Sequence, residues 1–145
     1  MRKKILISFA LILAAFGIFG IAVSPGLIAM TSTPQFCNSC HVMNDPYEAW
    51  FMTGVHRTIQ CVDCHLPHDN LIHHLVWKGI EGTRDLLFFH SGIFKEPIEI
   101  SSRGKGFVKA NCIRCHDGIV SRIDTETQDC WSCHRRMNHK AAMFN

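Results

Sequence analysis

All eight cysteines of this 145-residue chain fall in four copies of one pattern, C-x-x-C-H. The copies are Cys37-Asn38-Ser39-Cys40-His41, Cys61-Val62-Asp63-Cys64-His65, Cys112-Ile113-Arg114-Cys115-His116 and Cys130-Trp131-Ser132-Cys133-His134. Two thiols at this spacing add to the two vinyl groups of a porphyrin, and the adjacent imidazole reaches the iron, so each copy reads as a c-type haem attachment site. Zinc is the competing reading, because Cys112/Cys115 and Cys130/Cys133 are spaced much as in a zinc ribbon. Zinc gives no reason for the histidine, however, and neither does a disulfide framework. With ten histidines in 145 residues, finding one after all four pairs by chance is roughly a 1 in 40,000 event. Four covalent haems are the expectation, held by Cys37, Cys40, Cys61, Cys64, Cys112, Cys115, Cys130 and Cys133.

A chain of this length holds at most one domain plus a segment. The segment is at the start, where Met1-Arg2-Lys3-Lys4 leads into an uncharged apolar run from Ile5 to Val23. That run is long enough to cross a bilayer as a helix. A cleaved signal has a shorter apolar region, and the small-x-small pair Ala22 and Ser24 is followed by Pro25, a poor neighbour for a scissile bond. An uncleaved anchor is expected, with the basic N-terminus in the cytoplasm and the remainder outside. The cysteines agree, since covalent haem attachment belongs to the exported side. Arg2, Lys3 and Lys4 are three of the fifteen basic residues, which leaves twelve basic against twelve acidic. Nothing in that balance points to nucleic acid.

The expected organisation is an anchor over 1–30 and a tetrahaem domain over 31–145. The fold class is mainly α with much irregular structure, one transmembrane helix and a small domain packed around its haems. Thr31 to Phe36 span only about 20 Å even fully extended, so the first haem is held at the membrane surface. Asp69 to Phe89 has helical periodicity in Leu71/Leu75, Ile72/Val76 and Ile80, with His68-Asp69-Asn70 as the capping region and Gly79 and Gly82 as weak points. Ser91 to Lys109 reads as a loop. The first and last pairs of motifs resemble a duplicated di-haem unit.

A single N-terminal anchor, four haem motifs and a first motif extended to C-x-x-C-H-x-M by Met43 resemble the NapC/NrfH family of membrane-anchored multihaem quinol dehydrogenases. The shortness of the chain resembles the members that form the small subunit of cytochrome c nitrite reductase. The resemblance implies a hetero-oligomer at the inner membrane that passes electrons from menaquinol to a periplasmic multihaem partner in anaerobic respiration. It also implies that Met43, rather than His41, ligates the first iron, although a methionine beside a haem is more often packing than ligand. It assigns His65, His116 and His134 to the other irons, His139 as distal ligand of the third haem and His56 as that of the fourth. The second haem is open: a lysine from the partner, or one of His68, His73, His74 and His90.

Oxidising a quinol releases protons as well as electrons, so its site needs a hydrogen-bond donor and a base. Lys78 and Asp85, seven residues apart, share one helix face with His74. Such a pair is commonly just a solvated face, but the resemblance implies that it lies beside the first haem. The rival is a tethered electron carrier reduced by another cytochrome. It would keep the motifs and the anchor but have no need of Met43, Lys78 and Asp85. A NapC-like donor to a different reductase is a further alternative.

Overall fold

The computed structural model describes residues 2–22, 24–53 and 55–139. All regular structure among them is helical. The anchor helix α1 (Arg2–Ala22) is followed by α2 (Pro25–Met30), α3 (Pro34–Cys37), a 3-10 turn at His41–Met43 and α4 (Asn44–Thr53). Then come α5 (Cys61–His65), α6 (Leu71–Ser91), α7 (Ser102–Val120), α8 (Cys130–Cys133) and a final 3-10 turn at Arg135–Asn138.

Short polar residues start these helices. Ser24 caps α2, its hydroxyl accepting from the Leu27 amide at 3.4 Å with Pro25 next in line. Asn70 caps α6 by accepting from the His73 amide at 2.8 Å, which starts that helix two residues later than its periodicity predicts. At the other end Gly92 takes a left-handed φ of 68° and closes α6. Gly79 and Gly82 lie inside the helix without interrupting it.

The expected loop from Ser91 to Lys109 is half helix. Ser101 caps α7, its hydroxyl accepting from the Gly104 amide at 3.1 Å. Gly104 is not a breaker there but a fitted residue: a Cβ at this position would stand 2.7 Å from Ile100 Cγ1. A glycine inside an expected loop is here a glycine at a close approach within a helix.

The polypeptide has almost no core of its own. Among the described residues the buried apolar ones are Ala49 and Leu66, and no large side chain is fully buried. Even a small domain needs a larger apolar centre than that to fold on its own. The two middle haem motifs are joined by a polar clamp. Asn111, only 5% exposed, donates to the carbonyls of Cys64 at 3.0 Å and Leu66 at 2.7 Å. Its own Oδ1 accepts from Arg114 Nε at 3.1 Å, and Arg114 reaches the Asp63 carbonyl at 3.3 Å. α5 and α7 are thereby fixed together.

Candidate functional site

The four motifs do not share one local structure. In the second, third and fourth, the second cysteine is helical: Cys64 in α5, Cys115 in α7 and Cys133 in α8. In the first, α3 ends at Cys37 and Cys40 is extended, with φ −97° and ψ 128°. That change of backbone redirects the following histidine. His41 is exposed, and its ring rests 5.4 Å from that of Phe89 and 6.4 Å from that of Phe94. The Met43 amide bonds back to the Cys40 carbonyl at 2.9 Å, which folds Met43 towards its own motif.

All eight thiols are unbridged, and thiols of different motifs meet. Cys37 and Cys61 are hydrogen-bonded, and that bond holds the Cys37 thiol down at about 7 while it pushes the Cys61 thiol up. Burial and the neighbouring Cys130 push Cys112 up to about 11. Among the described residues no group of three or more histidine, cysteine and acidic side chains converges as a site for a bare metal ion.

Imidazoles meet in two pairs. His65 and His139 have ring centres 6.2 Å apart at 27°, and His56 and His116 have theirs 6.1 Å apart at 89°. An imidazole nitrogen binds a first-row metal at about 2 Å, and it lies about 1.2 Å from the centre of its five-membered ring. Two imidazoles sharing one iron therefore have ring centres about 6.4 Å apart, at any angle about their common axis. Burial, and then the nearby His139, hold His65 down at about 4, and burial also lowers His139, so both rings stay neutral, the form that binds metal. His139 has a positive φ of 46°, rare for a side-chain-bearing residue, and its Nδ1 is buried with no hydrogen-bond partner among the described residues. The sparse core, the unbridged thiols and these facing imidazoles fit covalent haems, and the porphyrins would supply the missing apolar centre.

The observed pairs differ from those that the family resemblance implies. His139 faces the ring of the second motif rather than the third, and His56 faces that of the third. Of the other histidines considered for the second haem, His73 has both nitrogens engaged, by Asp69 and by the Trp77 indole, each at 2.6 Å. His68 Nε2 is 3.2 Å from the Val62 carbonyl, and His74 Nδ1 is 2.9 Å from that of Pro67. No ring contact brings a described histidine opposite His134.

Lys78 and Asp85, predicted to share a face of α6, do so. The Lys78 ammonium donates to the hydroxyl of buried Ser32 at 2.8 Å and to the Thr31 carbonyl at 3.1 Å. Ser32 in turn donates to the Ile28 carbonyl at 2.6 Å. Partial burial lowers the Lys78 pKa, and burial followed by the nearby Glu81 raises that of Asp85, although part of its surface stays open to solvent. Both charges reach the Cys37 thiol, Lys78 lowering and Asp85 raising its pKa. Sequence reading missed Ser32, Asn111 and the two phenylalanines beneath His41. The run Thr31-Ser32-Thr33 directly after an apolar patch was a usable signal for the first; nothing local marks the others.

These features define a membrane-anchored multihaem cytochrome c. More particularly, the chain belongs to the NapC/NirT cytochrome c family, whose N-terminal region matches residues 1–105. Similar proteins include the cytochrome c-type protein NrfH of Wolinella succinogenes, 30% identical over 92% of this chain and 83% of the relative. The cytochrome c nitrite reductase subunit NrfH of Nitratidesulfovibrio vulgaris is 32% identical over 87% of this chain and 79% of its own. The tetraheme c-type cytochrome CymA of Shewanella oneidensis is 25% identical over 85% of this chain and 84% of its own. In the crystal structure of the cytochrome c nitrite reductase NrfHA complex bound to the HQNO inhibitor, one chain superposes with a TM-score of 0.73. The two are 33% identical, over 91% of this chain and 90% of the other.

Proposed function

We propose that this protein oxidises menaquinol beside its first haem and delivers the electrons to a periplasmic cytochrome c nitrite reductase, with which it forms a complex in the inner membrane. The observation that carries the reading is the position of Lys78 and Asp85. Lys78 is tied to Thr31 and Ser32 at the end of the anchor, a few residues before Cys37, the first haem attachment, and Asp85 lies on the same face of α6. A lipid-soluble reductant therefore meets a hydrogen-bond donor, a base and a redox centre in one place. Lys78 holds a quinol oxygen. Asp85 takes the two protons in turn, handing the first to solvent across its exposed side before it accepts the second, and its raised pKa makes it a stronger base than an ordinary aspartate.

When bound, the haems supply one-electron chemistry and the conduction path. Cys37, Cys40, Cys61, Cys64, Cys112, Cys115, Cys130 and Cys133 hold them. Met43 would ligate the first iron, where a thioether favours the reduced state relative to imidazole. His65 with His139 would hold the second, His56 with His116 the third, and His134 the fourth.

The test is anaerobic mixing of the oxidised, haem-loaded protein with a menaquinol analogue, following visible haem reduction with and without HQNO, which binds the related NrfHA complex as an inhibitor. Reduction that HQNO blocks supports the proposal. A protein that dithionite reduces fully but the quinol leaves oxidised, alone and with its nitrite reductase partner, is a tethered carrier instead.

A further inference from the structure

α6 carries two unlike faces. Lys78, Glu81 and Asp85 lie on one, and Ile72, Val76, Ile80 and Leu87 lie on the other. Those four apolar side chains are exposed, Ile72 by 75% and Leu87 by 64%. Gly79 and Thr83 interrupt the row and leave an open apolar groove of about 870 Å³. An exposed stripe of this length on one helix needs a covering.

Phe19 of α1 lines the same groove, and Phe19 stands at the outer end of the apolar span Lys3–Gly20. The stripe on α6 thus continues the lipid-facing surface of the anchor at the level where that anchor leaves the bilayer. Arg84, at the edge of the groove, has its apolar stem beside the stripe and its head paired with Glu81 at 3.2 Å, the arrangement of a side chain that reaches towards headgroups.

We propose that α6 is an in-plane membrane helix whose Ile72–Leu87 stripe is immersed in the outer leaflet, with phospholipid acyl chains filling the groove. Helices of this kind sink roughly 5–10 Å into the boundary between headgroups and chains. Immersion would set the Lys78–Asp85 face at headgroup depth, so that a quinol ring reaches both without its tail leaving the bilayer. The inference rests on the membrane-anchor and quinol readings above and adds to them the orientation of the domain on the membrane.

The test places a photoreactive p-benzoyl-phenylalanine at Ile80, or at Lys105 on α7 as the control, in the full-length haem-loaded protein reconstituted into phospholipid vesicles. Both sites are exposed, so neither change threatens folding. After irradiation the Ile80 variant should gain the mass of one phospholipid at a yield about tenfold above the control, as expected for a residue below the headgroups. No lipid adduct, or a covalent dimer in its place, would overturn the proposal, the dimer showing that a second copy covers the stripe. Flotation of the vesicles separates the two failures: protein that floats but gives no lipid adduct is anchored with α6 clear of the bilayer, whereas protein that does not float lacks the anchor itself.

Discussion

Replacing Asp85 with asparagine should slow reduction of the haems by menaquinol about 10²–10⁴-fold, the range for losing a positioned general base. That corresponds to about 2.7–5.4 kcal/mol on the barrier. Asparagine keeps the volume and can still accept a hydrogen bond, so the change isolates proton acceptance. Burial, and then Glu81, raise the Asp85 pKa above the ordinary 3.8, and Arg84 opposes them. The base must be ionised to work, so the wild-type rate should rise with pH through that raised value, and the variant should lose this limb of the profile. Stability runs the other way. A carboxyl whose folded pKa exceeds its unfolded pKa favours the folded state most when protonated, and that contribution declines as pH rises through the folded value. Asp85→Asn should therefore leave thermal stability at neutral pH unchanged or slightly higher. Stopped-flow absorbance with a menaquinol analogue, from about pH 4, near the ordinary aspartate value, upward, measures the rate, and dithionite titration checks haem content. A variant that reduces within about threefold of wild type with the same pH profile, well short of the range for a lost base, would remove Asp85 from the chemistry.

Three further predictions follow from the packing. Asn111→Leu leaves the Cys64 and Leu66 carbonyls without their bonds, at about 1–3 kcal/mol for each unsatisfied buried group; melting followed by circular dichroism should show a clear drop, and an unchanged midpoint would mean the clamp carries no load. His139→Ala should convert one low-spin haem to high spin in the electron paramagnetic resonance spectrum, and a spectrum identical to wild type would show that His139 is no ligand. Phe89→Ala removes the ring 5.4 Å from His41. If that contact holds His41 away from the first iron, the variant should gain an imidazole-ligated low-spin signal from the first haem, and persistence of the wild-type signal would assign the restraint to the Cys40 backbone alone.

The cysteine spacing made the cofactor legible from the sequence, because covalent chemistry demands neighbours along the chain. The helix bearing Lys78 and Asp85 was legible too, since a 3.6-residue period puts both on one side whatever else packs there. The ring pairings were not. His139 meets His65, and His56 meets His116, across separations that no local pattern encodes. A C-x-x-C-H run also looks the same whether its second cysteine is helical, like Cys64, or extended, like Cys40, yet that ψ angle decides where the histidine goes. Ser101 and Gly104 misread as loop residues for a related reason: a cap and a close approach have the same composition as a turn.

The near-absence of a polypeptide core bears on how this protein is made. With only Ala49 and Leu66 buried among its described apolar residues, the polypeptide has little to collapse around until porphyrin is attached, so attachment must precede folding. During that interval the eight cysteines are free thiols on an unfolded chain, and any disulfide formed between two motifs would consume one thiol of each and block two haem sites at once. Maturation is therefore a race between thioether formation and oxidation, in which the thiols must stay reduced until the porphyrins arrive.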